Sequence, residues 1–204
     1  MIARTAQRQT SKSKEQIVDS AIRLISKYGF EQLTLDQVGV AANAKRYAIV
    51  AKYGNLGNLM QVCLQASLDS LALFMSLRSY RNDYREHKTE DFWALLVAFN
   101  THNADKASVI CRYLKSPSIF QAQDFRTELV KLLNPIYDHF EQGLLQNSNV
   151  HIRFISFKYL YQSACAYAES RSSASTLSHT ASLSVYYNNK VAPELERILR
   201  LPIN

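Results

Sequence analysis

The sequence predicts an all-α protein, on three observations. Only five of its 204 residues are glycine and four are proline. That is well under the roughly 12% combined share of an average chain, so turns and backbone breaks are few. Apolar side chains recur at helical spacing along most of the chain. Finally, hydrophobic residues make up 47% and charged residues 20%, enough to bury a sizeable core and too little charge for a disordered polymer.

The first helix is marked by Ile17, Ala21, Leu24, Ile25 and Tyr28, with Ser13 and Gln16 as a capping box at its start and Gly29 at the C′ position. Thr34 and Gln37 repeat the capping-box pattern and open a short second helix over about 35–41. Asn43-Ala44 then supplies a sharp turn, because Asn tolerates left-handed backbone. A third short helix, roughly 45–51, begins at Lys45 and Arg46. Asn55 caps a long fourth helix, carried to about residue 79 by Leu59, Met60, Cys63, Leu64, Leu68, Leu71 and Met75. The polar stretch 79–91 is the best candidate loop. Thr89 followed by Glu90 and Asp91 reads as a new cap, with helices expected near 90–103 and 105–115. Pro117 breaks the chain, and a helical pattern follows over 123–146, with a kink at Asn134-Pro135. From 151 to 170 apolar residues surround nearly the whole helix, which therefore needs cover on more than one side. The Ser-rich stretch 169–184 reads as a turn between two helices. The last helical portion, 177–201, is interrupted at Pro193.

Charge is unevenly placed. In residues 1–60, nine basic side chains face four acidic ones, which accounts for five of the net seven positive charges. The first fourteen residues hold four basic groups and no acid, an arm able to follow a polyanion such as a nucleic-acid backbone. Cys63, Cys111 and Cys165 are odd in number and about fifty residues apart, fitting neither a disulfide framework nor a clustered metal site. A reducing cytoplasm is the simplest setting. No apolar segment follows the basic N-terminus as in a secretory signal, and the longest apolar run, around Trp93–Phe99, falls far short of the roughly twenty residues of a membrane span. The expectation is a soluble protein without cofactor or metal.

Three short helices and a long one, with a tight turn between the second and third, form a helix-turn-helix arrangement over the basic region. In such a unit the third helix enters the major groove of double-stranded DNA. Lys45 and Arg46 stand at the groove-facing end, where Arg46 suits a two-donor contact to guanine, Tyr47 suits a base or phosphate, and Lys52 lies about two turns on toward the backbone. Thr34 can offer phosphate its hydroxyl and a free amide. The same cations also suit the solvated face of a small bundle.

The segment from Lys14 to Cys63 resembles the DNA-binding domain of the TetR family of bacterial transcriptional regulators. The likeness rests on the amphipathic first helix, Tyr28-Gly29-Phe30, the Thr34-x-x-x-Val38 opening of the second helix, and Leu59 in the long helix. The chain departs from the family pattern at Asn43-Ala44, at Tyr47, and at Val50, Tyr53 and Leu56. Val50 and Leu56 stand where the family commonly has a phosphate-binding Tyr and Lys. The resemblance implies a DNA-binding head over 1–54, with Thr34, Lys45, Arg46, Tyr47, Lys52 and Tyr53 as candidate contacts. Residues 55–204 would then form a helical regulatory and dimerisation domain that binds a small-molecule effector, and the protein would be a homodimeric repressor. Effector binding would tilt the fourth helix and so reset the spacing of two reading heads. Candidate effector contacts are Phe92, Trp93, Phe99, His102, Tyr113, Phe125, Tyr137 and Phe140. The alternative is a helical ligand-binding or interaction protein whose specific DNA binding is weakened or lost. An enzyme is disfavoured, because no GxGxxG, P-loop, HExxH or CxxC occurs and the five histidines are dispersed.

Overall fold

The computed structural model describes residues 2–79, 89–115, 150–172 and 179–200, and every regular element among them is helical. In chain order these are α1 (Ile2–Tyr28), α2 (Leu35–Ala41), α3 (Arg46–Tyr53), α4 (Leu56–Ser79), α5 (Thr89–His102), α6 (Ala104–Lys115), α7 (Val150–Ser172) and α8 (His179–Tyr186). A π-helical turn over Tyr187–Val191 then leads into α9 (Ala192–Leu199). The expected loop at 80–88, the helix over 123–146 with its Asn134-Pro135 kink, and Phe125, Tyr137 and Phe140 lie outside the described residues.

α1 corrects the sequence expectation at its start. Helix runs from Ile2, so Ser13 lies inside it and the basic arm is its first turns. The residues before Gly29 include neither Gly nor Pro and are rich in Arg, Gln, Lys and Ala. Extending an existing helix through such residues costs less than nucleating a new one at Ser13. At the other end Gly29 takes the left-handed conformation, φ +91°, expected of it. Ile17, Val18, Ala21, Ile22 and Ile25 form the buried face of α1, joined by Phe30, Leu33, Val38, Ala42, Ile49 and Tyr53 as the core of the head. Tyr28 is instead partly exposed beneath the Lys27 ammonium.

α4 runs from the head into the second domain. By length and composition Leu56–Arg78 is apolar enough to cross a membrane, with a mean hydropathy of 1.3. Its stripe Leu59, Met60, Cys63, Leu64, Leu68, Leu71 and Met75 is buried in the fold, as its helical spacing predicts. The division between α5 and α6 has a local cause. The side chains of Asn100, Thr101 and His102 each turn back onto the carbonyl four residues earlier, at 2.8, 3.0 and 2.7 Å. Such bonds offer those carbonyls a partner other than the helix ladder.

α7 is the central helix of the second domain, packed on α5, α6 and α9. Ile152, Phe154, Phe157, Leu160, Tyr161, Ala164, Cys165 and Tyr167 are all buried. Cover on more than one side, as its apolar circumference requires, comes from α5, α6 and α9 of its own chain. Beyond α8, Pro193 does not interrupt the helix. The ladder shifts one residue upstream, the Ala192 amide donating to the Tyr187 carbonyl, and Pro193 enters α9 in its first turn. The Tyr159 hydroxyl of α7 donates to the Lys190 carbonyl within the π turn, at 3.1 Å. Tyr159→Phe removes that donor and is expected to cost about 1 kcal/mol of unfolding free energy, read as a lower urea midpoint. An unchanged midpoint would show that solvent satisfies the carbonyl equally well.

Candidate nucleic-acid interface and effector cleft

The local sequence builds the head as a rigid pair of short helices. Thr34 and Gln37 complete the expected capping box. The Gln37 amide donates to Thr34 Oγ1 at 3.2 Å, and the Thr34 amide donates to Gln37 Oε1 at 2.9 Å. The Thr34 amide is therefore engaged, which corrects the expectation that it is free for phosphate; the hydroxyl proton remains for that contact. After α2 the chain reverses through Asn43, which adopts φ +49° as its residue type allows. The Ala44 amide donates to the Gly39 carbonyl at 2.9 Å, and Ser20 Oγ of α1 donates to the Ala41 carbonyl at 3.3 Å.

Gly39 is a residue that sequence pattern alone does not single out. A Cβ there would lie 2.7 Å from the Ala44 carbonyl oxygen, a backbone atom that cannot rotate away. Gly39→Ala is expected to lower stability by about 1–3 kcal/mol through this overpacking, although alanine is the better helix former. Chemical denaturation measures it, and a raised midpoint would mean that the turn yields. The only sequence signal is a glycine inside a helix of a glycine-poor chain.

The outer face of α3 presents Arg46, Tyr47, Ala48, Val50 and Ala51, while Ile49 and Tyr53 point into the core. Lys45 occupies the N-cap without a side-chain cap bond, and its ammonium lies 5.9 Å from the Tyr47 ring centroid. Tyr47 is 70% exposed. Arg46 Nη1 pairs with Asp36 Oδ2 of α2 at 3.0 Å, both side chains open to solvent. Lys52 is half-buried in the last turn of the helix. The structure thus brings Lys45, Arg46 and Tyr47 together at the start of α3, with Arg46 joined to Asp36 in the first turn of the helix that Thr34 caps. Tyr53 does not join them. It is buried, and the loss of solvent raises its phenol pKa, because its position on α3 is that of the core residue four places after Ile49.

In the second domain the aromatic candidates mostly serve the core. Phe92, Trp93, Phe99 and Tyr113 are each at most 1% exposed. Trp93 stacks on Tyr186 at 5.8 Å with the rings 8° apart, meets Tyr167 edge-on, and donates from Nε1 to Ser163 Oγ at 2.9 Å. Phe99 meets Phe74 edge-on at 5.5 Å. His102 is exposed at the end of α5. The cleft lies elsewhere, between the C-terminal ends of α5, α6 and α7. Its volume is about 560 Å³, and Asn100, Thr101, Ser108, Cys111, Arg112, Lys115, Cys165, Glu169 and Arg171 are among the residues that line it. None of the five described candidates does; helical spacing marks aromatics as inward-facing but does not distinguish a filled core from a cavity wall.

Arg112 connects this cleft to the head. Its Nη2 donates to the Ser26 carbonyl in the last turn of α1, at 2.9 Å. Lys106 Nζ likewise donates to Ser70 Oγ of α4, at 2.7 Å. Both contacts run from α6 to helices that enter the head.

The sequence matches no protein-family model and no curated protein. Among solved structures, a TetR family transcription regulator from Marinobacter aquaeolei VT8 aligns over 89% of this chain and 95% of its own, with a TM-score of 0.69 and 11% identity. The chain has the TetR fold. Two further structures with the TetR fold carry ligands. The multidrug binding protein EbrR, complexed with imidazole, aligns over 95% of this chain and 93% of its own at a TM-score of 0.59 and 13% identity. The transcriptional regulator FadR from Bacillus subtilis, in complex with stearoyl-CoA, aligns over 92% and 98% at 0.55 and 14% identity. Within this TetR fold, Val50 is 38% exposed on the outer face of α3, whereas Leu56 packs against the core at the start of α4. Aliphatic carbon therefore stands at both positions, and the cations of α3 and its N-cap are Lys45, Arg46 and Lys52.

Proposed function

We propose that this protein is a DNA-binding transcriptional regulator of the TetR type, acting as a repressor whose operator affinity answers to a small molecule bound in the second domain. The observation that carries the reading is the α2–α3 unit, whose exposed face holds Lys45, Arg46 and Tyr47 on a fold shared with transcription regulators. In this reading Arg46 leaves Asp36 to contact a guanine edge, Lys45, Lys52 and the Thr34 hydroxyl hold phosphates, and Tyr47 contacts the groove. Two protomers form a homodimer that sets the α3 helices about 34 Å apart, one turn of DNA. Val185 of α8 is more than half exposed, an apolar side chain against which such a partner can pack. The protein works in the cytoplasm, on DNA, and catalyses no reaction.

The effector reaches the cleft between α5, α6 and α7 and shifts the equilibrium between two orientations of the head. α4 and the Arg112–Ser26 contact carry the change. Titration against the intergenic DNA beside its own gene, repeated at several salt concentrations, tests the reading. Sequence preference that survives added salt supports it. Equal affinity for all DNA, lost uniformly as salt rises, points instead to the interaction protein that Val50 and Leu56 suggest.

A further inference from the structure

Cys111 and Cys165 are 54 positions apart in sequence and sit on different helices, yet the fold brings them side by side in the wall of the cleft. Both thiols are free and buried, and each acts on the titration of the other. Cys165 Sγ also donates to Asn100 Oδ1 of α5 at 2.9 Å, and Asn100 is held in turn by its Nδ2 bond to the Leu96 carbonyl. The cationic side chains of Arg112 and Lys115 line the same cleft. We propose that Cys111 and Cys165 form a thiol modification site, at which a hydroperoxide entering the cleft oxidises the pair to a disulfide that joins α6 to α7.

Cys111 is the attacking sulfur. Its thiol is lowered to about 7, first by the adjoining Cys165 thiol and further by the Lys115 ammonium, against burial and the Glu169 carboxylate. Cys165 is pushed far up by the adjoining Cys111 and by burial, so it keeps its proton and serves as the resolving thiol. The Cys111 thiolate attacks one peroxide oxygen and the O–O bond breaks. The leaving oxygen departs as an alcohol, or as water from hydrogen peroxide, and Cys111 becomes a sulfenic acid. The Cys165 sulfur then attacks the Cys111 sulfur, the S–O bond breaks, and hydroxide leaves as water with the Cys165 proton. Two thiols are oxidised by two electrons and one peroxide is reduced. Arg112 and Lys115 provide positive charge toward the leaving oxygen. Cys63 provides an internal contrast, because it is buried in the head, pushed up to about 12 by burial, and bonded to the Val18 carbonyl at 3.8 Å.

The consequence for DNA, and only that part, rests on the regulator reading. A bond between α6 and α7 fixes the helix whose Arg112 holds the end of α1, so oxidation changes operator affinity. The test is intact-mass measurement of the full chain after one equivalent of hydrogen peroxide, followed by peptide mapping without reduction. The expected result is loss of the mass of two hydrogens and a peptide joining Cys111 to Cys165, with Cys63→Ser reacting as the native protein does. Oxygen addition without the link, a link through Cys63, a link between two chains, or no reaction would overturn the proposal. These measurements need no variant at either cysteine, so misfolding of a Cys111→Ser protein has no bearing on the outcome. Operator titration of both redox forms is the second readout. A disulfide with no operator binding by either form removes the regulator reading and leaves the modification site standing.

Discussion

Arg46→Ala is expected to weaken binding to a specific operator by about 1–3 kcal/mol, roughly five- to 150-fold, with little change in folding stability. In the free protein the Arg46 charge is paired with Asp36, but both side chains are more than 60% exposed. An ion pair in that setting contributes about 1 kcal/mol or less. A bidentate contact to guanine discriminates by more than the pair it replaces, so DNA wins the guanidinium. Asp36→Asn separates the effects. It removes the competing carboxylate and a negative charge near the phosphates, so affinity for all DNA should rise while the preference among sequences stays. Equal operator affinity of Arg46→Ala and the native protein, measured by titration at fixed salt, would restrict Arg46 to its pairing with Asp36.

Trp93→Ala is expected to lower the unfolding free energy by about 3–5 kcal/mol, the usual cost of emptying a large aromatic site. The indole is fully buried, lies between Tyr186, Tyr167 and Tyr187, and hydrogen-bonds to Ser163. Truncation leaves a cavity against α7 and the π turn, the elements that close this side of the domain. Trp93→Phe keeps much of the ring packing and loses the Nε1 donor, so its loss should be smaller. Urea denaturation followed by circular dichroism measures both, since Trp93 is the only tryptophan. A loss under about 1 kcal/mol for the alanine variant would mean that the site collapses freely, as a malleable ligand site does and a packed core does not.

What is legible in the sequence is mostly local. The Thr34–Gln37 capping box, the left-handed Asn43 and Gly29, and the stripe along α4 depend on neighbours within a turn or two of helix, and each stands as the spacing predicts. The bounds of α2, α5 and α6 follow for the same reason. Distant contacts escape. Arg112 and Ser26 are 86 residues apart, and Trp93 and Ser163 are 70; no periodicity encodes which inward-facing residue meets which. At Tyr53 the family likeness points outward, while its place four residues after Ile49 points to the core. At Ser13 a plausible cap is overridden by the helix already running through it.

The length of α1 has a mechanical meaning. At about 1.5 Å per residue, its 27 residues make a rod roughly 40 Å long. Arg112 grips that rod near one end, at Ser26, where the cleft is close by. A tilt of about 10° around that grip would carry the far end about 7 Å, as the geometry of a rod of that length requires. With Arg112 as fulcrum, a small adjustment of α6 would become a displacement of several ångströms at the far end of α1.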